Sequence, residues 1–169
     1  LKKALPQARC IMVEPDPSSL ASGKHNFALN GYEGEFINAM VSASGFAVDA
    51  FMAERGLVHL DILHSDIQGY ETEMLKGAEK LLAGKQADYV FISTHGDSIH
   101  AEVTAVLGRH GYRIEVSSDY NTHTTSADGF VLATSPDIAP LFDGFKPLGR
   151  LEIAKASPEQ LLESLRNAH

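Results

Sequence analysis

One short segment in the middle of the chain constrains its fold more than any other. Residues 57–65 are rich in apolar residues, Asp66 and Gly69 follow directly, and the apolar spacing after residue 70 is that of an amphipathic helix. A strand that passes through an acid and a glycine into a helix is typical of α/β proteins, which bind ligands at the carboxyl ends of their strands. Asp66 is therefore expected at the edge of a sheet where binding sites usually lie.

The rest of the chain alternates between strand and helix patterns. Strands are predicted over residues 9–13, 35–42, 57–65, 88–94, 112–116 and 129–133. Helices are predicted over residues 17–30, 70–82 and 98–110 and again after residue 157, whereas residues 46–54 fit either an outer strand or a short helix. This alternation predicts a mostly parallel sheet with helices on both faces. The last two strands are joined by a loop, residues 117–128, which favours an antiparallel pair at one edge.

Length and composition limit the classes of protein to which the chain can belong. A chain of 169 residues predicts one domain, with a core over residues 1–135 and a C-terminal extension, residues 136–169, whose last helix packs on that domain. The formal net charge of −8 disfavours nucleic acid and anionic membranes as partners. No stretch has the roughly 18 apolar residues that a transmembrane helix requires. Cys10 is the only cysteine, so a reducing, cytoplasmic location is expected.

Several short motifs, in this order along the chain, resemble those of the FkbM-type methyltransferases. They are residues 13–17 (VEPDP), 66–71 (DIQGYE), 75–78 (LKGA), 91–96 (FISTHG) and 126–129 (SADG). The resemblance implies a Rossmann-like class I methyltransferase sheet with an antiparallel last strand. It also implies S-adenosylmethionine as the cofactor and methylation of a hydroxyl oxygen on a sugar or natural product. A small-molecule acceptor is the expected partner, and residues 117–128 or the tail after residue 136 would shape its pocket or a homodimer contact.

The chain departs from the family pattern in two ways. The family usually has a lysine at the end of the third strand and a glutamate where this chain has Gln68. The glycine-rich loop that follows the family's first strand has no counterpart, since no G-x-G-x-x-G sequence occurs among the 169 residues. We therefore expect that the first strand and its glycine-rich loop are missing from this chain and belong to a longer parent protein.

Acidic and histidine side chains at strand ends are the predicted site residues. Glu14 follows the strand at residues 9–13, where an acid can accept hydrogen bonds from the ribose hydroxyls of the cofactor; otherwise it only interacts with the dipole of the next helix. Asp66 is predicted to contact the cofactor and to orient the acceptor, bind a cation or act as a base, unless it only caps a turn. His95 is predicted to be the base for a hydroxyl group, unless it only bonds to loop backbone.

Other residues near these strand ends have weaker predictions. Met40, Val41 and Ser42 end the strand beside the expected adenine position, and they are equally consistent with a plain core. Glu71 is interpreted as structural because it lies in the first turn of a helix. His100, at another helix start, is expected to be solvated. The transferase hypothesis requires Glu14, Asp66 and His95 to converge along one edge of the domain.

Two other classes of function remain open. The first is a metal-dependent hydrolase in which His64, Asp66 and His95 bind the metal, although no closely spaced set of ligands supports it. The second is a non-catalytic binding module that retains a degenerate methyltransferase fold. No metal is predicted for the transferase itself.

Overall fold

A computed structural model describes residues 1–119, 122–124, 127–142 and 148–166. Six strands lie in these ranges: β1 (Ile11–Val13), β2 (Glu35–Ile37), β3 (Leu60–Ser65), β4 (Ala87–Thr94), β5 (Arg113–Ser118) and β6 (Gly129–Thr134). The helices in the same ranges are α1 (Pro17–Leu29), α2 (Val48–Arg55), α3 (Glu71–Lys76), α4 (Glu79–Ala83), α5 (Asp97–Arg109), α6 (Arg150–Ile153) and α7 (Pro158–Arg166). Ser126, the first residue of the SADG motif, lies outside the described residues. None of the described helices is both long enough and apolar enough to cross a bilayer.

Four strands form the main sheet, in the order β3-β4-β6-β5. Strands β3 and β4 are parallel, whereas β6 runs antiparallel to both β4 and β5. The predicted mixture of strands and helices and the antiparallel last pair at the edge are thus confirmed. Apolar residues of β4 and β6 supply much of the core, because Val90, Ile92, Val131 and Ala133 are fully buried.

The first two strands form a sheet of their own. Strand β1 pairs with β2 in parallel, and neither pairs with the main sheet within the described residues. The contact between the two parts is made by side chains, since Val13 packs against the buried cluster that contains Val41 and Val48. The single sheet expected from the sequence is therefore divided into two. Strands β1 and β2 form one part, and β3 to β6 form the other.

Several predicted boundaries were wrong for local reasons. Strand β2 ends at Ile37 instead of residue 42, because Val41 instead makes an isolated parallel bridge to Phe46. For residues 46–54, by contrast, the short helix left open as one of two alternatives is confirmed as α2. The helix predicted over residues 70–82 is interrupted between α3 and α4, where an added Cβ on Gly77 would lie 3.2 Å from Ala47 Cα. The close approach of the two backbones thus favours a glycine in that break.

Side-chain caps explain where two of the helices begin. Asp16 Oδ1 accepts a hydrogen bond from the Ser19 amide, which makes Asp16 the N-cap of α1. The start of α4 is capped from another element, because the two Asp49 carboxylate oxygens accept from the amides of Lys80 and Leu81 at 2.7 and 2.9 Å. Asp49 therefore ties α2 to the helices that follow β3.

The C-terminal extension carries the two short helices α6 and α7. Helix α7 has no buried residue, and Leu162 and Leu165 on it are 56% and 65% exposed. Whether this helix packs on the core, as the sequence analysis expects, stays a prediction.

Candidate functional site

The site forms where the neighbouring parallel strands β3 and β4 end. Asp66 is the first residue after β3 and His95 the first after β4, so the topology brings both to one edge of the main sheet. His95 Nε2 lies 3.3 Å from Asp66 Oδ1. The structure thus brings together the two residues that the sequence predicted as catalytic.

A buried glutamate supports the other side of the His95 ring. Glu71 Oε1 lies 2.5 Å from His95 Nδ1 and accepts a second hydrogen bond from the Gly69 amide at 3.2 Å. The Glu71 side chain is fully buried, and its Oε2 makes no hydrogen bond among the described residues. An ionised Glu71 carboxylate can only accept, and the Nδ1 atom of His95 then carries a proton.

Polar groups surround the edge of the His95 ring that bears Nε2. The Gln68 side-chain nitrogen lies 3.0 Å from Nε2, and an oxygen of Asp128, which precedes β6, lies 3.5 Å from it. In the neutral Nδ1–H tautomer, Nε2 accepts a hydrogen bond from the Gln68 amide group. In the protonated ring, Nε2 donates instead, and the carboxylates of Asp66 and Asp128 are within reach. Neighbouring side chains can therefore form a hydrogen bond with Nε2 in both protonation states of His95.

A tight turn between β3 and α3 creates this arrangement. Gln68 has φ +53° and Gly69 has φ +98°, which are left-handed conformations. Such a conformation costs a non-glycine residue of the order of 1 kcal/mol or more, so the fold must hold Gln68 there against strain. The turn directs the Gln68 amide toward His95 while the next helix presents Glu71 to the same ring.

A second histidine, His100 on helix α5, lies close by. His100 is buried between Thr94 and Ser117, with Nδ1 and Nε2 each 2.9 Å from one of the two hydroxyl oxygens. The expectation that it is solvated was wrong. The signal was in the sequence, because His100 lies three and seven residues before Val103 and Leu107 on the buried face of α5.

The burial of His100 predicts how stability depends on pH. Desolvation lowers the pKa of His100 below its usual 6.5, whereas the unfolded chain takes up the proton near that value. The stabilising contribution of the neutral ring is thus complete above pH 6.5 and is lost as the pH falls through the folded-state pKa. We expect the free energy of unfolding in urea to fall between about pH 7.5 and pH 5.5, and to fall less in His100→Gln. An equal fall in the unaltered protein and in His100→Gln would contradict this prediction. The control is His110→Gln, in which the fall should match that of the unaltered protein.

Glu14 lies at the carboxyl end of β1, in the smaller sheet. Its Oε1 accepts a hydrogen bond from the Asp16 amide at 2.8 Å, beside the start of α1. Its backbone oxygen accepts a bond from the Asn38 side chain, which joins the ends of β1 and β2. Because no strand of this sheet pairs with β3 in the described part of the chain, convergence of Glu14 with Asp66 and His95 stays a prediction.

The three residues predicted to lie beside the adenine form a turn after β2. Phe46 donates to the Met40 carbonyl, Ser42 donates to the Phe46 carbonyl, and the Gly45 amide donates to Ser42 Oγ. Val41 is buried in the core, whereas 43% of Met40 is exposed. Of the three, Met40 therefore offers apolar surface that a ligand can cover.

The three metal ligands of the hydrolase hypothesis do not form one group. Among the described residues, one group of three His, Cys, Asp or Glu side chains has its ligand atoms within 4.8 Å of one another, namely His59, Asp61 and Asp88. His64, Asp66 and His95 do not form such a group. The contacts around His95 resemble a supported acid–base group more than a metal centre.

The comparison with protein families gives one match. The model of the methyltransferase FkbM domain matches residues 41–114, which include Asp66, Glu71 and His95. No curated protein and no solved structure gave a significant match. From the turn before α2 to the start of β5, the chain is therefore similar to the FkbM methyltransferase domain.

Proposed function

We propose that the protein is an S-adenosylmethionine-dependent methyltransferase acting on a hydroxyl oxygen of a sugar or natural product. The observation that supports an oxygen acceptor is the arrangement of His95, with Nδ1 held 2.5 Å from the buried Glu71 carboxylate and Nε2 3.3 Å from Asp66. A neutral imidazole held in this way can take the proton that a hydroxyl group loses when its oxygen is methylated.

The proton transfer uses His95 and the carboxylates beside it, once the acceptor hydroxyl takes the place of the Gln68 amide group at Nε2. When bound, the cofactor supplies a methyl group activated by a positively charged sulfur, so the chain has to align the acceptor and remove its proton. His95 Nε2 receives that proton, and the imidazolium is stabilised by Glu71 on one side and by Asp66, 3.3 Å away, on the other. The Asp66 side chain is 49% exposed and can accept a hydrogen bond from a second hydroxyl group of the acceptor. A molecule with neighbouring hydroxyl groups fits this pair of residues.

The residues present fit the adenosine half of the cofactor. A carboxylate can accept about four hydrogen bonds, so the bond from Asp16 leaves Glu14 capacity for both ribose hydroxyls. The exposed side of Met40 offers an apolar contact for adenine.

The proposed fold is a Rossmann-like sheet in which one further strand lies between β1 and β3. The glycine-rich loop follows that strand. The division of the sheet at this point supports it, because β1 pairs only with β2 and β3 only with β4 in the described part of the chain. An added strand would satisfy the backbone groups of both edges.

Calorimetry with S-adenosylmethionine on the full-length protein tests the proposal. We expect micromolar binding that weakens about 10- to 100-fold in Glu14→Ala, since hydrogen bonds to a charged group contribute about 1.5–3 kcal/mol. Glu33→Ala, an exposed acid after α1, is the control and should bind as the unaltered protein does.

Two outcomes of this calorimetry would contradict the proposal. Unchanged affinity in Glu14→Ala would exclude Glu14 as a ribose ligand. Absence of binding to the unaltered protein would leave the non-catalytic binding module.

A further inference from the structure

A second group of polar side chains lies at the opposite ends of the same two strands. His59 precedes β3, Asp61 lies within it and Asp88 lies in β4, near the amino ends of both strands. One ligand atom from each of the three lies within 4.8 Å of the other two, and His59 Nε2 is 3.2 Å from Asp88 Oδ2. Asp66 lies five residues after Asp61 along an extended strand, so this group is about 17 Å from the candidate site.

Strand geometry explains why the three side chains meet. Residues two apart in a strand point to the same face, which aligns His59 with Asp61. Leu60 pairs with Ala87 and Ile62 with Tyr89, so the parallel register sets Asp61 opposite Asp88. The convergence therefore depends on the strand pairing of the main sheet, and it does not require a flexible loop.

The arrangement has an electrostatic cost in the absence of a cation. Like charges directly opposite each other on neighbouring strands are destabilising, and the chain as a whole has a formal net charge of −8. His59 is the ion-pair partner of Asp88, yet its side chain is 43% exposed and carries a positive charge only when protonated. A divalent cation would neutralise both carboxylates at once.

We infer that His59, Asp61 and Asp88 form a binding site for a divalent transition-metal ion that links β3 to β4. One imidazole nitrogen with two carboxylate oxygens is a ligand set that suits zinc and its neighbours, whereas magnesium and calcium prefer oxygen ligands alone. Asp61 and His59 are exposed, so water can complete the coordination of the ion. The site is independent of the proposed methyl transfer, because no hydrogen bond or ion pair in the described part of the chain joins its residues to Asp66 or His95.

Titration of the metal-free protein with Zn²⁺ tests the inference. We expect saturable binding of one ion by calorimetry and a higher melting temperature with zinc than without it. His59→Gln, Asp61→Asn and Asp88→Asn should each weaken binding about tenfold or more, since each removes one of three protein ligands. His25→Gln removes an exposed histidine on α1 and should leave both readouts unchanged.

Two further measurements separate metal coordination from a general effect on folding. Bound Co²⁺ should show visible absorption bands that change in His59→Gln and not in His25→Gln. Without metal, Asp61→Asn should melt at the same temperature as the unaltered protein or higher, because it removes the repulsion between the carboxylates. The inference is wrong if no saturable binding occurs, or if the three variants bind zinc as tightly as the unaltered protein.

Discussion

We expect His95→Ala to lower kcat for methyl transfer by about 10²- to 10⁴-fold, the range that a positioned acid–base group contributes. The substitution removes the nitrogen that takes the hydroxyl proton but leaves Glu14 and Met40, the proposed cofactor contacts, unchanged. Affinity for S-adenosylmethionine should therefore change little. The measurement is release of S-adenosylhomocysteine with a hydroxyl acceptor found by screening monosaccharides.

The control for this experiment is His110→Gln, at the end of α5. Its ring pairs with the exposed Glu79, away from the candidate site, so activity should be retained. A His95→Ala protein that folds and keeps its full kcat would show that another group takes the proton. Loss of cofactor binding in the same variant would instead assign His95 to the binding of the cofactor.

We expect Glu71→Gln to lower kcat by about 10²-fold with little change in KM, although Glu71 itself touches no substrate. The carboxylate holds the proton of His95 on Nδ1, 2.5 Å away, and leaves Nε2 without a proton, so that Nε2 can act as a base. An amide at this position can present its NH₂ group to Nδ1, which moves the ring proton to Nε2. Nitrogen chemical shifts of the His95 ring, measured by NMR, would report this change of tautomer.

A neighbouring glutamate on the same helix provides the matched control. Glu73 is 41% exposed and pairs with Lys76, so Glu73→Gln should alter neither the tautomer nor kcat. If Glu71→Gln lowers the melting temperature but leaves kcat and the His95 tautomer unchanged, Glu71 is a structural residue, as the sequence analysis first interpreted it.

The pairing of Asp66 with His95 could be predicted from the sequence, whereas the contact with Glu71 could not. Neighbouring parallel strands must end at the same edge of a sheet, and both ends are visible as apolar runs. The contact of Glu71 depends on the left-handed turn at Gln68, which no local propensity predicts. A partial signal existed, because Glu71 lies three and four residues before the buried Met74 and Leu75.

The errors in the element boundaries have a similar cause. Residues 35–42 have strand-like composition, but a strand continues only where a partner runs beside it, and β1 ends at Val13. The continuous helix over residues 70–82 was a reasonable inference from its apolar spacing. It fails because Gly77 lies against Ala47, a contact between segments 30 residues apart that periodicity does not report.

The division of the sheet affects the distance between the proposed cofactor contacts, Glu14 and Met40, and the proposed catalytic pair, Asp66 and His95. Hydrogen bonds between paired strands fix their alignment in whole-residue steps, so Asp66 and His95 keep a set separation. Glu14 and Met40 belong to the part of the chain that is joined to the main sheet by the packing of Val13 on the core. Apolar surfaces can slide by fractions of an ångström without losing a bond. The strand proposed between β1 and β3 would replace this sliding contact with hydrogen bonds, and it would thereby fix the distance between the adenosine contacts and the proton acceptor as well.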